Sequence, residues 1–275
     1  MVDHFEVNHS RLDDHFLFSC SGDLDTVGNT VRSQGLSSYE ASFTNIFIEI
    51  AKDMPGVILD VGANTGIFTL AAVAANRSTR VIAFEPLESV RDLLKINVGL
   101  NPELAQRVAI EPVGLSNVCG SFNFYETIND CGFISTSSSL EQRHAEAVGG
   151  SYVERTIRTI TLDEFGDTLG NFNVTFMKID IEGHEHALIT GGRRFISKHR
   201  PIFTLEILGD STTESIDNLL LEGNYFSFAM APGLLRQCDR MRFFPDAWNH
   251  LLVPAEKLSY IFTLCRRLGL QIELC

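Results

Sequence analysis

Three short stretches of the chain carry residue types that could do chemistry together: Asp60-Val61-Gly62-Ala63-Asn64-Thr65-Gly66, Phe84-Glu85-Pro86, and Asp180-Ile181-Glu182-Gly183-His184-Glu185-His186. The first lies between two apolar runs, 57–61 and 67–75, and reads as a glycine turn joining a strand to a helix. Such a turn lets backbone approach a ligand closely, and the helix N-terminus beyond it offers unpaired N–H groups. Its spacing is G-x-x-x-G, without the middle glycine that admits a pyrophosphate in a G-x-G-x-x-G loop. Asp60 at the strand end would repel a diphosphate but suits a ligand with a cationic ammonium. S-adenosylmethionine carries that group and a positive sulfonium, so it is favoured over NAD or ATP. Glu85, closing the next apolar run, can accept both hydrogen bonds of a ribose diol. Asp60, Gly62, Asn64, Gly66 and Glu85 are the candidate cofactor residues.

The third stretch follows another apolar run and holds the candidate catalytic groups. Methyl transfer is an in-line displacement, so much of its acceleration comes from holding the acceptor opposite the sulfur. A hydroxyl acceptor must also lose its proton to a positioned histidine or carboxylate. His184 is the first candidate for that base, with a cap at a helix start as its competing role. Asp180 and Glu182 could orient it, accept the proton themselves, or hold a divalent ion. Glu185 suits a helix N-terminus, and His186 reads as structural. Asp180, Glu182, His184 and His186 alternate, but Gly183 should break the strand before all four share a face. No metal ligand is therefore assigned, and a divalent ion is not favoured. Glu206 closes a further strand and faces either the acceptor or solvent; His144 and Tyr152 are additional candidate acceptor contacts.

These groups need a scaffold that brings strand ends together. Apolar runs at 57–61, 80–84, 108–113, 175–180 and 202–206 alternate with helical stretches after Gly66, from 87 to 97 and from 184 to 199. The spacing predicts a doubly wound, mostly parallel seven-stranded α/β sheet, Rossmann-like, with helices on both faces. Residues 225–228 and 248–254 would be its last two strands, an antiparallel hairpin at one edge, and a helix over 255–269 would close the chain. Residues 1–56 are expected to form a partly helical cap ahead of a single domain at 57–275. Residues 126–155, rich in serine and glycine, read as an extended surface loop or substrate lid, with disorder as the alternative.

Beyond single motifs, LDVGANTG (59–66), AFEP (83–86), ITLDEF (160–165), KIDIEGHE (178–185), RPIFTLEI (200–207) and NHLLVP (249–254) stand in one order along the chain. In these segments, which cover most of residues 36–254, the sequence resembles the FkbM-type methyltransferases. Tyr39-Glu40 also resembles that family's entry segment. The resemblance implies a class I methyltransferase fold and S-adenosylmethionine-dependent O-methylation of a hydroxyl on a sugar, glycan or natural product, with S-adenosylhomocysteine as product. Many class I relatives place an acid after the third strand to read the adenine amino group. Here that segment is Val113-Gly114-Leu115-Ser116-Asn117, which leaves adenine to backbone groups or to Asn117. The competing readings are metal-assisted or nitrogen- or carbon-directed methylation, and a non-catalytic module that binds the cofactor; the missing middle glycine disfavours an oxidoreductase.

Bulk properties narrow the partners. With 35 acidic and 22 basic side chains in 275 residues, the formal charge of −13 disfavours nucleic acid. The local run of Arg193, Arg194, Lys198 and Arg200 reads as a solvated helix face. Six cysteines show no metal-ligand spacing and are too sparse for a disulfide framework, which suggests reduced thiols in a cytoplasmic protein. The N-terminus lacks a signal-peptide pattern, and no run reaches the roughly 18 apolar residues of a membrane span. Nothing in the sequence bears on oligomeric state.

Overall fold

Every side chain of Val57–Val61 is buried, as a strand covered by helices on both faces requires. The computed structural model describes residues 3–19, 25–128, 139–141 and 151–275. In chain order the elements are β1 (His4–Val7), β2 (Phe16–Ser19), α1 (Thr26–Gln34), α2 (Ala41–Asp53), β3 (Val57–Val61), α3 (Ile67–Ala75), β4 (Arg80–Phe84), α4 (Glu88–Gly99), α5 (Pro102–Ala105), β5 (Val108–Glu111), β6 (Gly114–Ser116) and β7 (Gly120–Ile128). The second half adds β8 (Ser151–Thr161), α6 (Leu162–Thr168), β9 (Val174–Ile179), α7 (Glu185–Gly191), α8 (Arg193–His199), β10 (Ile202–Glu206), α9 (Glu214–Glu222), β11 (Tyr225–Ala231), β12 (Leu234–Cys238), β13 (Asn249–Pro254), α10 (Leu258–Leu268) and β14 (Gln271–Leu274).

The main sheet has nine strands in the order β14-β12-β11-β13-β10-β9-β3-β4-β5. From β10 to β5 neighbouring strands run parallel. The strands β13, β11 and β12 pair antiparallel with their predecessors in that order, and β14 lies parallel to β12. The expected α/β class holds, while the seven-stranded, mostly parallel sheet is corrected to a mixed sheet of nine. The added strands are short and sit at one edge. β12 follows the tight turn at Gly233 (φ 77°), and β14 follows the helix that was expected to end the chain. Residues 225–231 and 249–254 do pair antiparallel, but β12 intervenes between them in sequence, so the local hairpin is β11–β12.

A second, three-stranded sheet runs β6-β8-β7. It corrects the expectation of a loop at the two ends of 126–155, where 126–128 and 151–155 are strand. β7 and β8 pair antiparallel from Gly120↔Thr159 to Ile128↔Ser151, because Val153, Ile157 and Ile160 with interleaved polar residues make a strand pattern. The centre of that segment, with His144, lies outside the described residues.

The N-terminal segment shares its core with the sheet. Phe43 and Phe47 of α2 pack on Phe68 of α3 with centroids 4.9 and 5.0 Å apart, and Phe47 reaches Phe176 of β9 at 5.4 Å. All nine residues of α3 are buried, which suits its uniformly apolar sequence. β2 is fastened to α4 and the start of α5 by side-chain amides: Asn101, just before α5, exchanges two hydrogen bonds with the Leu17 backbone, and Asn97 Oδ1 of α4 accepts from Ser19 N and Oγ.

At the opposite edge, the β12–β14 register Gln237↔Leu274 brings Cys275 beside Cys238, and the two are joined as a disulfide. This corrects the expectation that all thiols are reduced; the pairing depends on β14, which sequence reading had not found. Arg194 pairs with Asp163 and Asp167, and Arg200 pairs with Glu256, so these members of the basic run are ion-paired. Among the described residues no helix is long and apolar enough to cross a membrane.

Asn97 also donates to the Thr65 carbonyl at 2.8 Å, within the glycine turn. Asn97→Ala leaves buried donors and an acceptor unpaired and is expected to lower the unfolding free energy by about 2–3 kcal/mol in a urea titration. A loss under about 0.5 kcal/mol would show that these hydrogen bonds do not hold the N-terminal segment in place.

Candidate active site

The parallel strands β3, β4, β9 and β10 end on the same side of the sheet, and a cavity of about 260 Å³ opens there. This is where ligands sit in open α/β sheets. Gly62 (φ 73°) and Gly66 (φ 96°) take left-handed backbone in the turn after β3. A Cβ on Gly62 would collide with the Asp180 carbonyl oxygen, and one on Gly66 with Leu94. The N–H groups of Gly62 and Ala63 donate to the Phe84 carbonyl at 3.1 and 3.0 Å, tying the turn to the end of β4. Glu85, 6% exposed, accepts from Asn64 N at 3.1 Å and Leu87 N at 3.0 Å, one bond to each carboxylate oxygen. Its side chain is thus held against the cavity before any ligand enters. Beyond it Leu87, Val90, Phe124 and Ile157 form a buried apolar cluster that also lines the cavity.

Lys178 stands at the centre of the site, and sequence reading gave it no role. It is buried, and its Nζ lies 3.0 Å from Asp180 Oδ2, 3.0 Å from the Gly62 carbonyl and 3.7 Å from Asp60 Oδ1. The ammonium also sits 5.4 Å from the centroid of Phe68. Burial alone would strip its proton, but the charges of Asp180, Asp60 and Glu40 outweigh it and hold the amine above the ordinary lysine range. Asp60 is 1% exposed, accepts from Thr69 Oγ1 at 2.5 Å, and is absent from the cavity lining. The expectation that it faces the ligand is therefore replaced by a place behind the wall, where it partners Lys178.

Asp180 and Glu182 both line the cavity, as does Glu206 at the end of β10. Their carboxylate oxygens lie within 4.8 Å of one another, a grouping that could hold a cation. Burial first, then the charges of Asp180, Glu182, Glu185 and Glu40, push the Glu206 carboxyl up to about 10. Glu182 (φ 54°) and Gly183 (φ 95°) form a left-handed turn that ends the strand direction, so the alternation from Asp180 to His186 does not continue along one face. His184 also lines the cavity, but both its ring nitrogens are engaged: Nε2 with Ser116 Oγ at 2.9 Å, and Nδ1 with Glu141 Oε1 at 2.7 Å. Asn117 lies next to that chain, where its Oδ1 accepts from Ser116, and does not reach the cavity. Glu185 is buried and accepts from Ile181 N at 3.0 Å. Tyr152 packs edge-on against Tyr125 at 5.3 Å, and neither lines the cavity.

Distant parts of the chain complete the walls. Val27, Tyr39 and Glu40 enter from the N-terminal segment, and Trp248 from just before β13. Glu40 (φ 44°) accepts from Asn249 Nδ2 at 3.1 Å. The motif around Tyr39-Glu40 was visible in the sequence, but its contact across 209 positions was not.

The sequence profile of the Methyltransferase FkbM domain matches residues 60–230, which hold the glycine turn, Glu85, Lys178, Asp180 and Glu206. The chain belongs to the FkbM methyltransferase family. Its fold is also similar to the methyltransferase FkbM from Methylobacillus flagellatus KT (18% identity, TM-score 0.47, 72% of this chain and 43% of that one). A SAM-dependent methyltransferase from Agrobacterium tumefaciens aligns over 92% of this chain and 70% of its own, with 11% identity and a TM-score of 0.46. A stretch of 97 residues is 34% identical to part of the AMB antimetabolite synthetase AmbE of Pseudomonas aeruginosa; it covers 33% of this chain and 4% of that synthetase.

The buried acids of this FkbM-family site carry a pH signature. Burial pushes Glu40 and Glu85 up to about 7, and Glu185 up to about 8, from an ordinary value of 4.5. Because each folded value exceeds the unfolded one, the stability is fully present below the unfolded value and is lost as pH rises through 7 to 8. The thermal midpoint is expected to fall by several degrees between about pH 5 and pH 8.5. Glu185→Gln keeps the acceptor for Ile181 N and should remove part of that slope; an unchanged slope would contradict the assignment.

Proposed function

We propose that this FkbM-family methyltransferase uses S-adenosylmethionine and delivers the methyl group to a hydroxyl oxygen of a small molecule or glycan. The observation that supports this best is one cavity with two unlike ends. One end is the glycine turn with Glu85 and an apolar slot; the other is Asp180, Glu182 and Glu206. The residues fit the cofactor: Gly62 lets the turn lie close against the Asp180 backbone at the cavity wall, Glu85 offers remaining lone pairs to a ribose diol, and Leu87, Val90, Phe124 and Ile157 suit a flat base. When bound, the cofactor supplies an electrophilic methyl group on a positive sulfonium.

The chain's own groups then divide the work. Asp180 places negative charge at the cationic end of the cavity, where low dielectric strengthens it. With both nitrogens of His184 engaged, we assign the acceptor's proton to the carboxylate of Asp180 or Glu182, and give His184 the role of holding the 182–184 turn. Asp60 acts through Lys178. Gly62 and Gly114 bring backbone to the cavity wall, while Asn117 takes no part. One observation favours a metal-assisted reaction, the 4.8 Å grouping of three carboxylates. Lys178, 3.0 Å from Asp180, already fixes a positive charge there, and we favour transfer without a divalent ion.

Calorimetry with S-adenosylhomocysteine tests the cofactor half. Binding is expected for the wild type, with a loss of about 10- to 100-fold in Glu85→Ala and no binding of NAD. A folded wild-type protein that ignores S-adenosylhomocysteine would refute the proposal. Once an acceptor is found, EDTA should leave the transfer rate unchanged; a strict need for magnesium would favour the metal-assisted reaction.

A further inference from the structure

One part of the wall around the apolar slot is built differently from the rest. Leu87 and Val90 come from the start of α4, Phe124 from β7 and Ile157 from β8, all regular elements. Leu140 packs against this cluster and lines the cavity, but it belongs to no helix or strand.

A few identifiable bonds hold residues 139–141 there. The backbones of Ser139 and Tyr125 exchange two hydrogen bonds, of 2.8 and 3.3 Å, which hang the segment on β7. On the other side Ser139 Oγ donates to the Glu182 carbonyl at 2.6 Å and accepts from Glu141 N at 3.0 Å. Glu141 Oε1 meets His184 Nδ1 at 2.7 Å, and Ser116 Oγ fixes the far side of that ring at 2.9 Å from Nε2. Ser139 is 1% exposed, so its hydroxyl makes both bonds away from water, where losing them costs most. The segment therefore reaches from the second sheet to the turn after β9 and passes over the slot.

Each of these hooks ends on a protein group, and none on a group assigned to the cofactor. Interactions that are the same with the cavity filled or empty set how often the segment opens, and leave the equilibrium affinity for a ligand unchanged. The 182–184 turn that receives the hooks also carries Glu182, one of the two carboxylates assigned the acceptor's proton.

We propose that residues 139–141 form a strap over the cofactor: Leu140 covers the base, and the cofactor enters and its product leaves only when Ser139 and Glu141 release the 182–184 turn. This rests on the cofactor proposed above and adds a gate to it. Covering the base and fixing the turn that bears Glu182 are then one event.

The test measures association and dissociation rates of S-adenosylhomocysteine on the immobilised full chain by surface plasmon resonance, with the equilibrium affinity from calorimetry. In Glu141→Ala and Ser139→Ala both rates are expected to rise together, by about 5- to 30-fold, with the affinity kept within about threefold. Glu141→Gln keeps an acceptor for His184 Nδ1 and should restore rates to within about threefold of the wild type. Leu140→Ala, which removes the cover itself, should weaken the affinity by about 3- to 30-fold. Unchanged rates in both Glu141→Ala and Ser139→Ala would overturn the strap, as would faster dissociation with unchanged association, the mark of a plain wall contact. A folded wild-type protein that does not bind S-adenosylhomocysteine would instead overturn the cofactor on which the strap rests, so the two failures are told apart.

Discussion

A single buried ammonium organises this site. Lys178 reaches across two strand ends and the glycine turn, contacting Asp180, the Gly62 carbonyl and Asp60. Leaving one such charge unpaired in the interior costs several kcal/mol, so its partners are constrained as firmly as it is. The register of the sheet makes the arrangement unavoidable: Asp60 pairs with Lys178, and Lys178 with Thr204, across β3, β9 and β10. Side chains at matched positions share a face of the sheet, as do residues two apart along a strand, which puts the lysine beside Asp60 across the sheet and Asp180 along its own chain.

The same ammonium links the cavity to the N-terminal segment. Phe68 beneath it packs against Tyr39, Phe43 and Phe47, so the wall supplied by α2 and the preceding turn is built on the helix that starts at the glycine turn. Asn97 fastens the far side of that turn to β2. The segment 139–141 closes over the third side: Ser139 Oγ donates to the Glu182 carbonyl at 2.6 Å, Glu141 meets His184, and Leu140 lines the cavity. The candidate groups on strand ends are thereby held by contacts that each arrive from a different element, which is how a rigid constellation is kept in place.

Much of this was legible in the sequence, for identifiable reasons. Central parallel strands are buried on both faces, so 57–61, 80–84, 174–179 and 202–206 read as apolar runs, and the residues just past them are fixed at the ligand side of the sheet. Glu85, Asp180 and Glu182, expected at that side, line the cavity, and so does Glu206, which the sequence left open between acceptor and solvent. Asp60 was misjudged because a strand's last residues alternate faces, and its partner is visible only through the cross-strand register. Lys178 carried a usable signal, a lysine inside a buried strand two residues before an acid, since such a charge demands a partner. The engagement of His184 could not be read, because Ser116 and Glu141 lie 68 and 43 positions away. Edge strands β12 and β14 escaped because short, half-exposed strands lack the long apolar signature, and with β14 went the pairing of Cys275 to Cys238.

The central claim is that Lys178 preforms the site, and a crystal structure of the full chain with S-adenosylhomocysteine tests it most directly. The expected result has ribose hydroxyls on Glu85, the base against Leu87, Val90 and Ile157, and the backbone of 60–66 and 178–184 within about 1 Å of its position without ligand. Lys178 should still bridge Asp180 and the Gly62 carbonyl. A complex in which the lysine has left those partners, or in which the ligand lies away from Glu85, would contradict the claim.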